Sequence, residues 1–189
     1  MENNIHLIEQ FLDHYWLSSG ASKNTLSAYR SDLMLYSKWL DKLSLESSSD
    51  TSILKYFQYR QISPSTQARI LTCFRIFYQY LVSQKLTDTN PTAKLHHPKQ
   101  VQKLPVFLSI KEVEKLLDVP DQKTIFGMRD RAMLELLYSC GLRVTELVSL
   151  EYHHININDE YIRILGKGNK ERLLPMGDLA IEYLSKYEK

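Results

Sequence analysis

Along the first eighty residues apolar side chains return every three or four positions. Ile5, Ile8, Phe11, Leu12, Tyr15 and Trp16 mark one face of a helix that Gly20 is placed to stop. A second stripe, Leu26, Tyr29, Leu33, Tyr36, Leu40 and Leu43, starts after Ser22 or Asn24, either of which can serve as its N-cap, and predicts the longest helix of this half. The polar run SSSD breaks the pattern. Ile53, Leu54 and Phe57 then predict a short third helix capped by Asp50. Ser63-Pro64 opens a fourth, with proline at the first helical position and Ile70, Phe74, Phe77, Tyr78 and Leu81 turned inward. Four such helices make a small bundle over residues 1–90.

The periodicity stops in NPTAKLHHPKQVQKLPVFL, where Pro91, Pro98 and Pro105 bracket scattered lysines, and residues 91–108 read as a linker. A second domain over 109–189 follows. Ser109 and Glu112 have capping-box spacing ahead of Val113, Leu116 and Leu117. Arg131 to Cys140 is a strongly apolar helix ended by Gly141, and Thr145 to Leu150 begins another. Beyond it HHININDEYIRILGKGNKERLLPM alternates apolar and polar residues around Asn158-Asp159 and again around Gly166 to Lys170, the pattern of antiparallel hairpins. DLAIEYLSKYEK closes the chain as a helix. The predicted class is mainly α with a small antiparallel β-sheet.

Composition narrows the function classes. At 189 residues and 43% hydrophobic content the chain can bury one core or two smaller ones. Lys and Arg total 24 against 22 Asp and Glu, a net charge of +2, so any nucleic-acid face must be a local one. Cys73 and Cys140 lie inside apolar helical patterns, which suits buried thiols in a reducing compartment, and a cytoplasmic location is expected. The N-terminus MENNIHLIEQF lacks the lysines of a secretory signal, and no apolar run approaches the roughly 18–20 residues that span a bilayer. No membrane role is expected.

Two segments carry candidate chemistry. In CGLRVTELVSL a cation, Arg143, stands at the junction between two helices, where an isolated arginine reads as a helix-start residue pairing with Glu146. In LGKGNKERLLP the run GKGNK suits an exposed hairpin tip and lacks the spacing of a nucleotide-binding loop. Together they are more informative. A guanidinium fixed at a helix junction and an ammonium on a hairpin tip match the needs of phosphoryl transfer: one grips the phosphate, the other neutralises or protonates a leaving oxygen. The adjacent pairs His96-His97 and His153-His154 lack spaced Cys, Asp or Glu partners, and no metal site is expected.

MLELLYSCGLRVTELVSL followed by IRILGKGNKERLLPMG resembles the catalytic domain of the Xer-type tyrosine recombinases, in the phage-integrase-like family. SKNTLSAYRSDL, ILTCFRIFYQYL and NPTAKLHHPKQVQKLP are similar to that family's helical, SAM-like core-binding domain and the linker behind it. The resemblance runs through the whole chain. It implies a DNA-binding site-specific recombinase that cuts and rejoins strands through a 3′-phosphotyrosyl intermediate, with no cofactor and no metal. It casts Arg143 as the ligand of the scissile phosphate and Lys167 as the acid that protonates the leaving 5′ oxygen. Glu146 matches an acidic position read as structural. Lys23, Asn24, Thr25, Tyr29, Arg30, Arg69, Arg75, Lys170 and Arg172 are the candidate DNA contacts, although ordinary capping by Asn24 and a core place for Tyr29 fit the same residues. The implied partners are duplex DNA and a second protomer, within a tetrameric synapse.

The family pattern continues with an HxxR box and a tyrosine nucleophile, and no histidine here has an arginine three residues on. Tyr183 and Tyr187 sit in the closing helix without that box and read as helix-face aromatics. The chain is therefore expected to end inside the catalytic domain and to bind DNA without cleaving it. A DNA-binding module that occupies recombination sites, or a helical protein-interaction domain, are the other functions compatible with these residues.

Overall fold

The computed structural model describes residues 2–99, 105–166 and 171–188. The chain divides into two compact units, Met1–Lys103 and Leu104–Lys189.

In the first unit four helices, α1 (Glu2–Ser19), α2 (Lys23–Leu40), α3 (Asp50–Arg60) and α4 (Pro64–Ser83), surround a core built from aromatic rings. Tyr36 packs against Phe74 and Tyr56 at centroid distances of 4.7 and 4.9 Å, and Phe11 meets Phe77 edge-on at 5.2 Å. The predicted stripes supply these residues. The helix starts differ in one place: Ser49, not Asp50, caps α3, because the Ser49 hydroxyl accepts the Ser52 N–H and Asp50 is already helical. Of the two caps open for α2, Ser22 is the one used, accepting from Thr25 N. α2 stops at Leu40, which leaves Leu43 exposed outside it.

A buried amide ties this bundle together. Asn4 donates to the Ser37 hydroxyl at 3.0 Å and the Leu43 carbonyl at 3.2 Å, and its oxygen accepts the Leu45 N–H at 3.1 Å. The expected linker is built onto the unit in its first part. Leu95 belongs to the aromatic core and Thr92 is fully buried, so the chain leaves the bundle several residues after Asn90.

The second unit holds α5 (Ile110–Asp118), α6 (Ile125–Cys140), α7 (Val144–Val148), the strands β1 (Ile155–Asn156), β2 (Tyr161–Leu165) and β3 (Glu171–Pro175), and α8 (Asp178–Tyr187). The sheet is antiparallel in the order β1-β2-β3, and Ile164 faces Arg172 across the β2–β3 ladder. Ile162 and Ile164 turn to a core with Leu136, Leu142, Leu147, Met176, Ala180 and Leu184, while Arg163 and Leu165 point the other way. α6 begins at Ile125, six residues before the predicted Arg131, because Thr124 caps it by accepting the Gly127 N–H. Arg131 is then interior. Its guanidinium donates to Glu135 and Asp118 and lies 4.5 Å from the Tyr183 ring, which joins α5, α6 and α8. Tyr183 is thus a packing residue. Among the described residues no helix is long and apolar enough to cross a membrane.

Candidate functional site

The arginine at the helix junction owes its position to three neighbours. Gly141 ends α6 in the left-handed conformation (φ 60°), Leu142 anchors the turn in the core, and Arg143 becomes the N-cap of α7 with an extended backbone. Glu146, at the third position of α7, reaches back and accepts the Arg143 N–H through Oε2 at 2.8 Å. This is the glutamate half of a capping box. An arginine side chain has no acceptor with which to complete the other half.

Glu146 also accepts Arg143 Nη1 through Oε1 at 2.8 Å, and Arg172 Nη2 through Oε1 and Oε2 at 2.9 and 2.8 Å. The carboxylate is buried, whereas the Arg143 side chain is 68% exposed. The Arg143 N–H, joined by the two guanidiniums, keeps the Glu146 carboxyl below the usual glutamate range against the opposing effect of desolvation. One anion between two cations leaves a positive excess, and the Arg143 guanidinium faces solvent with Nε and Nη2 unbonded among the described residues. A fixed, planar, forked donor of that kind suits a phosphate.

Arg172 is a partial correction. Its Nη2 is committed to Glu146 and its Nε is buried without an acceptor among the described residues, so of its donors only Nη1, on a side chain 38% exposed, is left to meet a DNA backbone. Lys167 and Lys170 lie outside the described residues. The strand that follows them, β3, places Arg172 against Glu146, so the chain re-enters the described structure beside the arginine at the α6–α7 junction.

In the first unit the candidate contacts separate into groups. Lys23 and Asn24 are exposed at the start of α2. Thr25 is half-buried, its hydroxyl 2.9 Å from Ser22 Oγ. Tyr29 is a second correction: its ring is buried, stacks on Tyr15, and burial pushes its phenol up to about 12. Arg30 pairs with Glu9 on α1. Arg69 gives both terminal nitrogens to Asp32, at 2.5 and 2.9 Å; Asp32 is buried while the arginine stays half-exposed. Arg75 donates to the Leu95 carbonyl and lies 2.7 Å from His97 Nε2, so it fastens the segment after α4 to the bundle. Sequence reasoning missed Glu9 and Asp32 as the partners of these arginines, since pairs 21 and 37 residues apart leave no local signal. The Arg131–Glu135 pair did have one, the i,i+4 spacing of opposite charges. No group of three or more His, Cys, Asp or Glu that could hold a metal ion occurs among the described residues.

Residues 8–85 match the phage integrase N-terminal SAM-like domain, and residues 106–189 match the phage integrase family. The tyrosine recombinase XerD of Pseudomonas putida is 45% identical over 188 residues, which cover 97% of this chain and 63% of that protein. The XerD of Proteus mirabilis is 44% identical, over 98% of this chain and 61% of its own length. The chain thus spans somewhat over three fifths of these relatives. Among solved structures, a lambda integrase tetramer bound to a Holliday junction aligns with a TM-score of 0.72 at 19% identity, over 94% of this chain and 55% of that one. The Tn1549 transposon integrase in complex with circular intermediate DNA aligns at 0.66 and 13%, over 95% and 63%. At such identities the two likenesses bear on the fold alone. The SAM-like bundle, the match of the second unit and the relatives above 40% identity place this chain in the phage integrase family, among the Xer-type tyrosine recombinases.

Proposed function

We propose that the chain binds duplex DNA and carries part of the strand-transfer apparatus of a site-specific tyrosine recombinase. The observation that carries this reading is the solvent-facing guanidinium of Arg143, held at its base by Glu146 while Nε and Nη2 have no partner among the described residues and can meet a phosphate. In this role Arg143 grips the scissile phosphate and withdraws charge from it as the phosphorus is attacked. Lys167 delivers a proton to the departing 5′ oxygen, and its partner in the full reaction is a tyrosine that takes up the 3′ phosphate as a phosphodiester. The chemistry needs no metal or cofactor, because the energy of the broken diester is kept in the phosphotyrosyl link. Nothing in residues 1–189 matches the HxxR box that the family uses beside that tyrosine. The 189-residue chain therefore binds without cutting.

Lys23, Asn24, Thr25, Arg30 and Arg69 give the first unit its backbone contacts, with Arg30 and Arg69 aimed by Glu9 and Asp32. Its working partners are duplex DNA and further copies of a recombinase on the same site, in the cytoplasm.

The test is binding of a labelled duplex at rising salt. Contacts to several phosphates release counterions, so the logarithm of the affinity should fall steeply and linearly with that of the salt concentration. An affinity that does not change between low and moderate salt would instead favour a protein partner for the same surfaces.

A further inference from the structure

Arg172 stands where it can decide what Arg143 does, and this deepens the phosphate-binding reading on which it rests. The Glu146 carboxylate makes four contacts: with Arg143 N, with Arg143 Nη1, and two with Arg172 Nη2. A carboxylate has about four lone-pair sites, so it is saturated. Arg143 consequently engages it through one side-chain nitrogen only. A paired guanidinium and carboxylate otherwise favour the two-pronged arrangement, in which two parallel N–H groups meet two oxygens.

We infer that Arg172 is a positioning residue: by occupying Glu146 it prevents that carboxylate from closing on Arg143 in two-pronged fashion and keeps the remaining Arg143 donors available for phosphate. The contact carries a cost: Arg172 Nε is buried with no acceptor among the described residues while Nη2 meets Glu146. The link also couples β3, and with it the strand that returns from the GKGNK segment, to the α6–α7 junction.

The test uses the 189-residue chain and a fluorescein-labelled duplex at low salt. Arg143→Ala should weaken binding by about tenfold, the size of one charge-assisted contact. Arg172→Ala should cause a loss of similar direction, and the double variant should lose no more than Arg143→Ala alone, as expected when one residue acts through another. Adding Glu146→Gln to Arg172→Ala should restore most of the affinity, since glutamine still accepts the Arg143 N–H but has no charge with which to hold the guanidinium. A purely structural loss would not be rescued in this way. Losses that multiply in the double variant, with no recovery on Glu146→Gln, would put Arg172 on the DNA itself and overturn the inference. Failure of the unaltered chain to bind any duplex would sink the DNA reading, and the inference is then decided by the ¹⁵N spectrum of the arginine side chains. The Arg143 Nε–H signal should move in Arg172→Ala and return in the variant that also carries Glu146→Gln; a signal that stays in place throughout rejects it. If Arg172→Ala does not fold, Arg172→Gln is read by the same criteria.

Discussion

Arg143 and Lys167 are assigned different work, and one change of substrate separates them in a chain extended through the histidine box and the tyrosine. In the proposed role Arg143 acts on the phosphate whatever the leaving group, so Arg143→Ala should slow cleavage by about 10²–10³, as for the loss of one oxyanion-type donor. Arg143→Lys should recover little, because an ammonium cannot reproduce the planar fork. Lys167→Ala should be slow on ordinary DNA and largely restored when sulfur replaces the bridging 5′ oxygen, since a thiolate departs without a proton. Lys170→Ala is the control: sulfur rescue there and not at Lys167 would reassign the acid. Glu146 supplies a pH dependence. Its carboxyl is held below the ordinary value of 4.5, chiefly by the Arg143 N–H and then by the two guanidiniums, so it stabilises the fold in full above that value and loses this contribution as pH falls through the depressed one. Thermal unfolding of the second unit should shift downward below about pH 4.5, and the shift should be smaller in Glu146→Gln. An equal acid shift in both would remove Glu146 as its source.

At the scale of elements, the two ends of α6 depend on glycine for different reasons. A Cβ at Gly127 would come within 1.9 Å of the Asp121 carbonyl oxygen, so the start of the helix lies directly against the preceding turn. Gly141 has open space around it and needs only its positive φ. Gly127→Ala should therefore destabilise by about 1–3 kcal/mol through overpacking, and Gly141→Ala by about 1–2 kcal/mol through the left-handed backbone alone. Denaturant unfolding checks both. Gly141→Asn is the discriminating variant: asparagine tolerates that backbone, so it should recover part of the Gly141→Ala loss, whereas Gly127→Asn should be no better than Gly127→Ala. The helices of the first unit were legible from spacing because each buries one stripe, and Tyr36, Phe74 and Phe77 fall on those stripes. In that unit the caps were legible to within a residue or two, whereas the Thr124 cap of α6 was not. Serine and aspartate both cap well, and only the backbone decided for Ser49 over Asp50.

At the scale of the molecule, the two units should be separable by protease. Val106 and Phe107 are almost fully exposed, while Leu95 is packed in the first core. Chymotrypsin should cut after Phe107 well before Leu95 or any tyrosine of α2 and α4. Early cleavage within α2, with Phe107 intact, would move the boundary. The divided architecture followed from a change of period along the chain, from four helical stripes through a proline-bracketed stretch to alternation, and those patterns are local.

What the chain's own order of residues determined was a set of features that depend on near neighbours: the helical stripes, the glycine stop before Arg143, the alternation of apolar and polar residues in the second unit, and the pairing of a junction arginine with a lysine-rich segment that marks the family. What only the tertiary structure decided was which of the candidate contacts are tied to partners within the fold. Tyr29 went to the core, Arg69 to Asp32, Arg75 to the segment after α4, and Arg172 to Glu146. The physical reason is one of range. A stripe or a cap is written within a few residues, but whether a guanidinium meets solvent or a buried carboxylate depends on what another element brings beside it, and that partner is 26 residues away for Arg172 and 37 for Arg69.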